Sequence, residues 1–204
     1  MSYHSYNEKE HWKGSVLEAP LPPVLVSCGD EKTPNVLTVA WTGILNTQPP
    51  VTYISLRPER FSYPIIRERG EFVINLPTEE LVRAVDYCGV KSGRNTDKLA
   101  QTGLTVTKGV AVSAPMINEC PLSLECRVRQ IIKLGTHDMF MADIVGVNAA
   151  KELLDNNGRL CLERAKLLAY SHGEYYGLGR KLGSFGYSVR KRKQKTNSAK
   201  KRKK

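Results

Sequence analysis

Three segments of the chain carry residue types that together suit a phosphorylated planar ligand. In 55–63, SLRPERFSY, a strand-like run ends at Arg57 and Arg60, and Ser62 stands where a helix would open. The preceding Ser55, the free N–H groups of a helix N-terminus, a hydroxyl and guanidinium groups form a phosphate-attracting set. A capped helix with two solvated arginines is the alternative for this segment alone. In 88–98, CGVKSGRNTDK, Gly89 and Gly93 bracket Lys91 and Ser92, so backbone N–H groups can converge as an anion nest, with Lys98 following where the next helix opens. The G-x-x-x-x-G-K-[ST] spacing of a P-loop is missing. In 35–43, NVLTVAWTG, Leu37, Val39 and Trp41 alternate with Val36, Thr38, Ala40 and Thr42. One strand face is then bulky and the other small and mildly polar, which lets a flat ring approach the backbone and be read by its N–H and C=O groups. A plain barrel strand is the alternative there.

The chain carries no H-E-x-x-H, G-x-S-x-G or Rossmann glycine fingerprint. The four histidines, His4, His11, His137 and His172, are dispersed, and no metal site is expected from them. The five cysteines, Cys28, Cys88, Cys120, Cys126 and Cys161, are odd in number and form no C-x-x-C pair, so they read as buried reduced thiols.

Short strands separated by proline turns must position the first and third of these features: 25–28 after PLPP, 36–42 after TPN, and 52–56 after QPP. Residues 62–69 read as a helix stopped by Gly70, and 71–75 resume strand character. Residues 78–87 read as an amphipathic helix with Thr78 as cap, and 94–101 as a short helix capped by Asn95 or Thr96 and stopped by Gly103. Leu122, Leu124, Cys126 and Val128 alternate with Ser123, Glu125, Arg127 and Arg129, a strand with one wet face. Residues 138–147 are apolar on both faces apart from Asp143, which predicts a central strand or one beneath another subunit. The class is mainly β with flanking helices, and closure into a barrel removes sheet edges.

Of 204 residues, 41% are hydrophobic and 25% charged, the composition of a globular protein, and no apolar run approaches membrane-span length. The N-terminus lacks a secretory layout, so a cytoplasmic location is expected. The net charge of +11 is uneven: ten of the 31 Lys and Arg lie in 190–204, RKRKQKTNSAKKRKK, leaving 21 against 20 acids in 1–189. That predicts a near-neutral body, 1–189, and a disordered basic tail, 190–204, suited to non-specific contact with nucleic acid, acidic proteins or anionic lipid. The neutral body speaks against an RNA-recognition module.

Read together, KG to Cys28 from Lys13, TVAWTG at 38–43, PPVTYISLRPERFSY at 49–63, GEFVINLPTEEL at 70–81, DYCGVKSGR at 86–94 and AYSHGEYYGLG at 169–179 resemble the flavin reductase family with the FMN-binding split-barrel fold, in its flavoredoxin-like branch. The resemblance implies a six-stranded antiparallel Greek-key split β-barrel, usually a homodimer, with non-covalent FMN rather than FAD near the subunit interface. It implies that Thr38, Ala40, Trp41 and Thr42 border the isoalloxazine, that Asn46 is a polar contact, and that Ser55, Arg57, Ser62, Lys91, Ser92, Gly93 and Lys98 hold ribityl and phosphate. His172 is the candidate to line the open ring face or supply a proton. The implied activity is hydride transfer from NAD(P)H onto bound flavin and onward to a protein or small acceptor, the alternative being a flavoredoxin-type electron carrier that does not itself oxidise NAD(P)H efficiently.

Overall fold

The computed structural model describes residues 3–190, so all of the basic tail beyond Arg190 lies outside the described residues. Strands dominate: β1 (Val24–Cys28), β2 (Asn35–Val39), β3 (Thr42–Thr47), β4 (Pro50–Leu56), β5 (Glu71–Leu76), β6 (Val106–Lys108), β7 (Pro115–Ile117), β8 (Leu122–Lys133), β9 (Asp138–Ala149), β10 (Leu168–Ser171) and β11 (Glu174–Gly177). The helices are α1 (Ser62–Arg69), α2 (Val82–Val90) and α3 (Lys98–Thr102). The largest sheet has seven strands in the order β2-β1-β5-β8-β9-β4-β3, and every pairing in it is antiparallel. The chain runs from β2 straight into β3, which links the two outermost strands and rolls the sheet into a barrel.

Alternation along the strands fills two cores. Val24, Val26 and Cys28 of β1, Leu37 and Val39 of β2, Ile54 and Leu56 of β4, Phe72 and Ile74 of β5, and Phe140 and Ala142 of β9 meet inside the barrel. The opposite face of β1 and β2, through Leu25 and Val36, packs on Ala84, Val85 and Cys88 of α2. β1 is therefore buried on both faces and β9 is a central strand, as its doubly apolar sequence predicts. All five cysteines are buried and unpaired. Among the described residues, no helix is long and apolar enough to cross a membrane.

Three boundaries differ from the sequence reading. The strand expected over 36–42 stops at Val39, bends at Ala40 and Trp41, and restarts as β3, so the sheet has seven strands where the resemblance implied six. The cause is at the other end of the pairing: Val39 lies opposite Val24, the first residue of β1, and Pro23 before it has no N–H to extend the ladder. The helix expected from Thr78 begins with a 3-10 turn at Glu79–Leu81, and Thr78 makes no side-chain cap bond. The helix expected from residue 94 begins at Lys98, because Asp97, not Asn95 or Thr96, caps it by accepting from the Ala100 N–H at 3.1 Å. Gly70 and Gly103 stop α1 and α3 in the left-handed conformation, with φ of 67° and 71°.

Candidate functional site

The bend after β2 opens a cavity of 390 Å³ between the ends of β2 and β4, α2 and the β10–β11 hairpin. Ser55 of β4 donates its N–H to the Trp41 carbonyl at 2.9 Å, which fixes the bend against β4. Thr38, Ala40, Trp41, Ser55 and Arg57 all line this cavity. α2 forms its outer wall: the Thr38 hydroxyl donates to the Val85 carbonyl, and a Cβ on Gly89 would stand 3.4 Å from the Thr38 Cβ, so the helix lies close on β2.

A second cavity, of 340 Å³, adjoins the first and shares Leu37, Arg57 and Arg60 with it. Ser62, Lys91, Ser92, Gly93 and Lys98 line this one. The sequence segments 55–63 and 88–98 thus meet, as an anion site requires. Ser62, the first residue of α1, is buried, and its hydroxyl accepts from Asn35 Nδ2 at 2.6 Å, with the buried Cys28 thiol as a further hydrogen-bonding neighbour. Gly93 is obligatory here, because a Cβ on it would come within 2.2 Å of Asn35 Oδ1 and 2.8 Å of the Phe61 ring. The close approach seats the Lys91–Ser92 turn beside Ser62.

Lys98 is the distinctive residue. It is only 5% exposed, its Nζ donates to the Cys88 carbonyl at 3.2 Å, and among the described residues no carboxylate lies within ion-pair distance. Burial pushes its pKa down and neighbouring Arg60 adds to this, while the Cys88 and Cys28 thiols act in the other direction. Arg60 Nη1 donates to the Gly89 carbonyl at 3.1 Å, so two cations satisfy last-turn carbonyls of α2. Arg57 is half exposed and pairs with Glu59 at 2.9 Å. Buried cations are normally paired. An ammonium with spare donors and no acid, beside Ser62, Ser92, Lys91 and two arginines, is a donor set for a polyanionic group such as a phosphate.

Thr42, Asn46 and His172 are not brought into either cavity. The buried Thr42 hydroxyl donates to the Tyr53 carbonyl at 2.6 Å, and Asn46 Nδ2 to the Pro49 carbonyl at 2.8 Å within the β3–β4 hairpin. His172 stands exposed at the tip of the β10–β11 hairpin with φ of 52°, while its neighbour Gly173 lines the ring-sized cavity.

The histidine that does line the cavity is His137, which the sequence reading did not select. Leu56 pairs with Asp138, so Arg57 and His137 extend from the same end of the barrel. Its ring lies 4.3 Å from that of Trp41, tilted by 47°. Asp138 is buried and accepts from the Tyr63 hydroxyl at 2.5 Å, which ties this turn to α1. Burial lowers the His137 pKa, with Arg57 and Arg60 reinforcing and Glu59 opposing, so the ring is neutral at pH 7. Arg60 of segment 55–63 lines this cavity too, and Tyr170, Tyr175 and Asp86 add lining that the three segments did not reveal. Only strand register and helix placement bring them there.

A family model described as Flavin reductase like domain matches residues 17–179. The structure is similar to that of the flavoredoxin of Desulfovibrio vulgaris (Miyazaki F), with a TM-score of 0.82 and 32% identity over 90% of this chain and 100% of that one. A flavoredoxin from Methanosarcina acetivorans is similar with a TM-score of 0.81 and 27% identity, over 90% of this chain and 100% of that one. In sequence, the chain is 36% identical over 128 residues to an uncharacterized protein of Archaeoglobus fulgidus, covering 63% of this chain and 72% of that protein.

Proposed function

This chain belongs to the flavin reductase-like family, and on that premise we propose that it holds FMN non-covalently across the two adjoining cavities and serves as an oxidoreductase that takes electrons from NAD(P)H. The observation that carries the reading is Lys98, buried without a carboxylate at the end of the site where Ser62, Lys91, Ser92 and the arginines converge. These residues fit a phosphate monoester in number and in charge. The 390 Å³ cavity, walled by Thr38, Ala40, Trp41 and the backbone of α2, fits a flat ring system.

Bound flavin supplies the two-electron chemistry, which leaves the protein the tasks of binding, orientation and proton handling. Arg57, Arg60, Lys91 and Lys98 offset the phosphate charge, and Ser62 and Ser92 donate to its oxygens. Trp41 and the Ala40–Trp41 bend border the ring and limit its sliding along β2. His137, neutral and packed at a tilt against Trp41 inside the cavity, is placed to exchange a proton at the ring edge, a task better suited to its position than to that of His172 at the hairpin tip. Exposed Ile44 and Leu45 on β3 and Val145 and Val147 on β9 support a homodimer, which sedimentation analysis checks.

The test is flavin titration of the apoprotein followed by anaerobic stopped flow. FMN is expected to bind stoichiometrically and much more tightly than riboflavin, and NAD(P)H to bleach the bound flavin. Equal affinity for FMN and riboflavin would remove the phosphate site. The similarity to two flavoredoxins favours a second reading, an electron carrier without efficient NAD(P)H oxidation of its own. Absence of bleaching by NAD(P)H, with reduction by a protein partner intact, selects that reading.

A further inference from the structure

The chain beyond the β10–β11 hairpin lines neither cavity and has a chemistry of its own. After Glu174 it carries no acid: Arg180 and Lys181 are followed by the ten Lys and Arg of 190–204. In the described part, 178–190, LGRKLGSFGYSVR, every residue except Gly186 is exposed. Leu178, Leu182, Phe185, Tyr187 and Val189 are among them, and Phe185 is fully open to solvent. A run of exposed apolar side chains of this size marks an interaction surface.

The arm has a defined shape. The Tyr187 N–H donates to the Ser184 carbonyl at 2.9 Å, closing a turn in which Gly186 takes a φ of 76°. The Tyr187 ring packs on Gly183, where a Cβ would stand 2.6 Å from it, yet the residue remains 62% exposed. Arg190 Nη2 donates to the Phe185 carbonyl at 3.5 Å, so a guanidinium and two rings share one turn. Among the described residues, Arg180, Lys181 and Arg190 enter no ion pair, and the hydrogen bonds of 180–190 close within the segment.

Exposed rings interleaved with unpaired cations suit a single-stranded nucleic acid, whose bases stack on aromatic faces while its phosphates draw the basic residues. A membrane surface is matched less well. Apolar insertion at an interface uses an amphipathic helix, whereas 178–190, interrupted by Gly179, Gly183 and Gly186, has only the 3-10 turn Tyr187–Val189. We infer that residues 178–204 form a binding arm for single-stranded nucleic acid, in which Phe185 and Tyr187 each stack a base and the Lys and Arg neutralise phosphates. Residues 191–204, outside the described residues, contribute charge. Binding of this kind tolerates any base sequence, because every base has a π face. The arm is independent of the flavin site, so the protein can be concentrated on a polynucleotide with its cavities free.

The experiment uses the full-length, FMN-loaded protein and fluorescence anisotropy with labelled oligo-uridine and oligo-thymidine of about 20 nucleotides, longer than one single-strand site. A duplex of the same length and phosphatidylserine vesicles serve as competitors. The single strands are expected to bind more tightly than the duplex, the reverse of what charge density alone gives. With about six cations each meeting a phosphate, log affinity should fall with log salt at a slope of about −4, and deleting 191–204 should leave about −2 from the three remaining cations. Phe185→Ala should weaken single-strand binding about fivefold or more while sparing the duplex, the effect of one lost stack. Flavin affinity should be unchanged in both variants, since neither alters a residue lining the cavities. A preference for uridine or thymidine strands supports the arm and identifies the strand it takes. Duplex binding equal to or tighter than single-strand binding, single-strand affinity undiminished in F185A, or vesicles displacing the oligonucleotides in preference to the duplex would each overturn the inference.

Discussion

Replacing Lys98 with Met tests the phosphate site at its most unusual residue. The side chain is of similar length and apolar, so the change removes a charge and leaves the volume nearly filled. In the native chain the buried Nζ has a single carbonyl partner, at 3.2 Å, and no carboxylate. The free protein therefore loses one hydrogen bond while being relieved of a buried charge, and its stability should stay within about 1 kcal/mol of native. Ligand binding should respond very differently. A hydrogen bond to a charged group contributes about 1.5–3 kcal/mol, so FMN affinity should fall about 10- to 150-fold. Riboflavin, which lacks the phosphate, should bind both proteins alike. The sign of the pH dependence offers a second check. Because the folded-state pKa of Lys98 is lowered, the unfolded chain holds more protons, and this residue's contribution to apoprotein stability rises as pH climbs from that lowered value toward 10.5. K98M should remove that rise. An FMN affinity unchanged in K98M, or a riboflavin affinity that falls equally, would refute the assignment.

Gly93→Ala places a methyl group 2.2 Å from Asn35 Oδ1, so the turn must shift and the Asn35–Ser62 bond must break; denaturant unfolding should show a loss of about 1–3 kcal/mol, together with weaker FMN binding, and a native-like titration would argue against the close seating of this turn. Trp41→Ala should shift the visible absorption band of bound flavin and change its fluorescence yield, whereas an identical spectrum would remove the indole from the ring's border. Glu125 is buried and accepts from the Ala111 and Val112 N–H groups at 2.6 and 3.0 Å and from Asn148 Nδ2 at 2.7 Å; burial raises its pKa, but these donors outweigh burial and hold it below the ordinary value of 4.5. Its stabilisation is thus complete above that value and is lost as pH falls through the lowered one, so Glu125→Gln should cost about 1.5–3 kcal/mol at pH 7 and flatten the acid limb of a stability-against-pH curve, and an unchanged limb would exclude this carboxylate.

Period-2 alternation was enough to read β8, the PLPP turn and Gly70 framed β1 and β5, a doubly apolar run marked β9, and Gly70 and Gly103 marked two helix ends correctly, because these signals are local. The break at Ala40 and Trp41 was hidden. Residues 36–42 alternate without interruption, and what ends β2 is a proline just before a different strand, Pro23, whose relation to Ala40 exists only once β1 and β2 pair. Site residues divide in the same way. Arg57, Ser62, Lys91, Ser92 and Lys98 lie in short segments rich in Gly, Ser and basic residues, and folding gathers them in one cavity. His137 was invisible for the opposite reason: it stands in a hairpin turn about 80 residues from Arg57 and becomes its neighbour through the pairing of Leu56 with Asp138.

The end of α2 accounts for how a protein without ligand keeps several cations together. Last-turn carbonyls carry the negative end of the helix dipole, and here the Gly89 carbonyl binds the Arg60 guanidinium and the Cys88 carbonyl the Lys98 ammonium, while the Tyr87 carbonyl closes the helix on the backbone N–H of Lys91. Carbonyls hold the cations in position without neutralising them, as a carboxylate would. An anionic ligand then meets preplaced donors in Lys98 and Arg60, while it must compete with Glu59 for Arg57, and the preplacement reduces the ordering cost of binding. The same helix carries Asp86 toward Tyr175 of β11, whose hydroxyl donates to it at 3.4 Å, and its seat on β2 is fixed by Thr38 at Val85 and Gly89. One packing contact therefore sets the positions of Arg60, Lys98 and Asp86 at once.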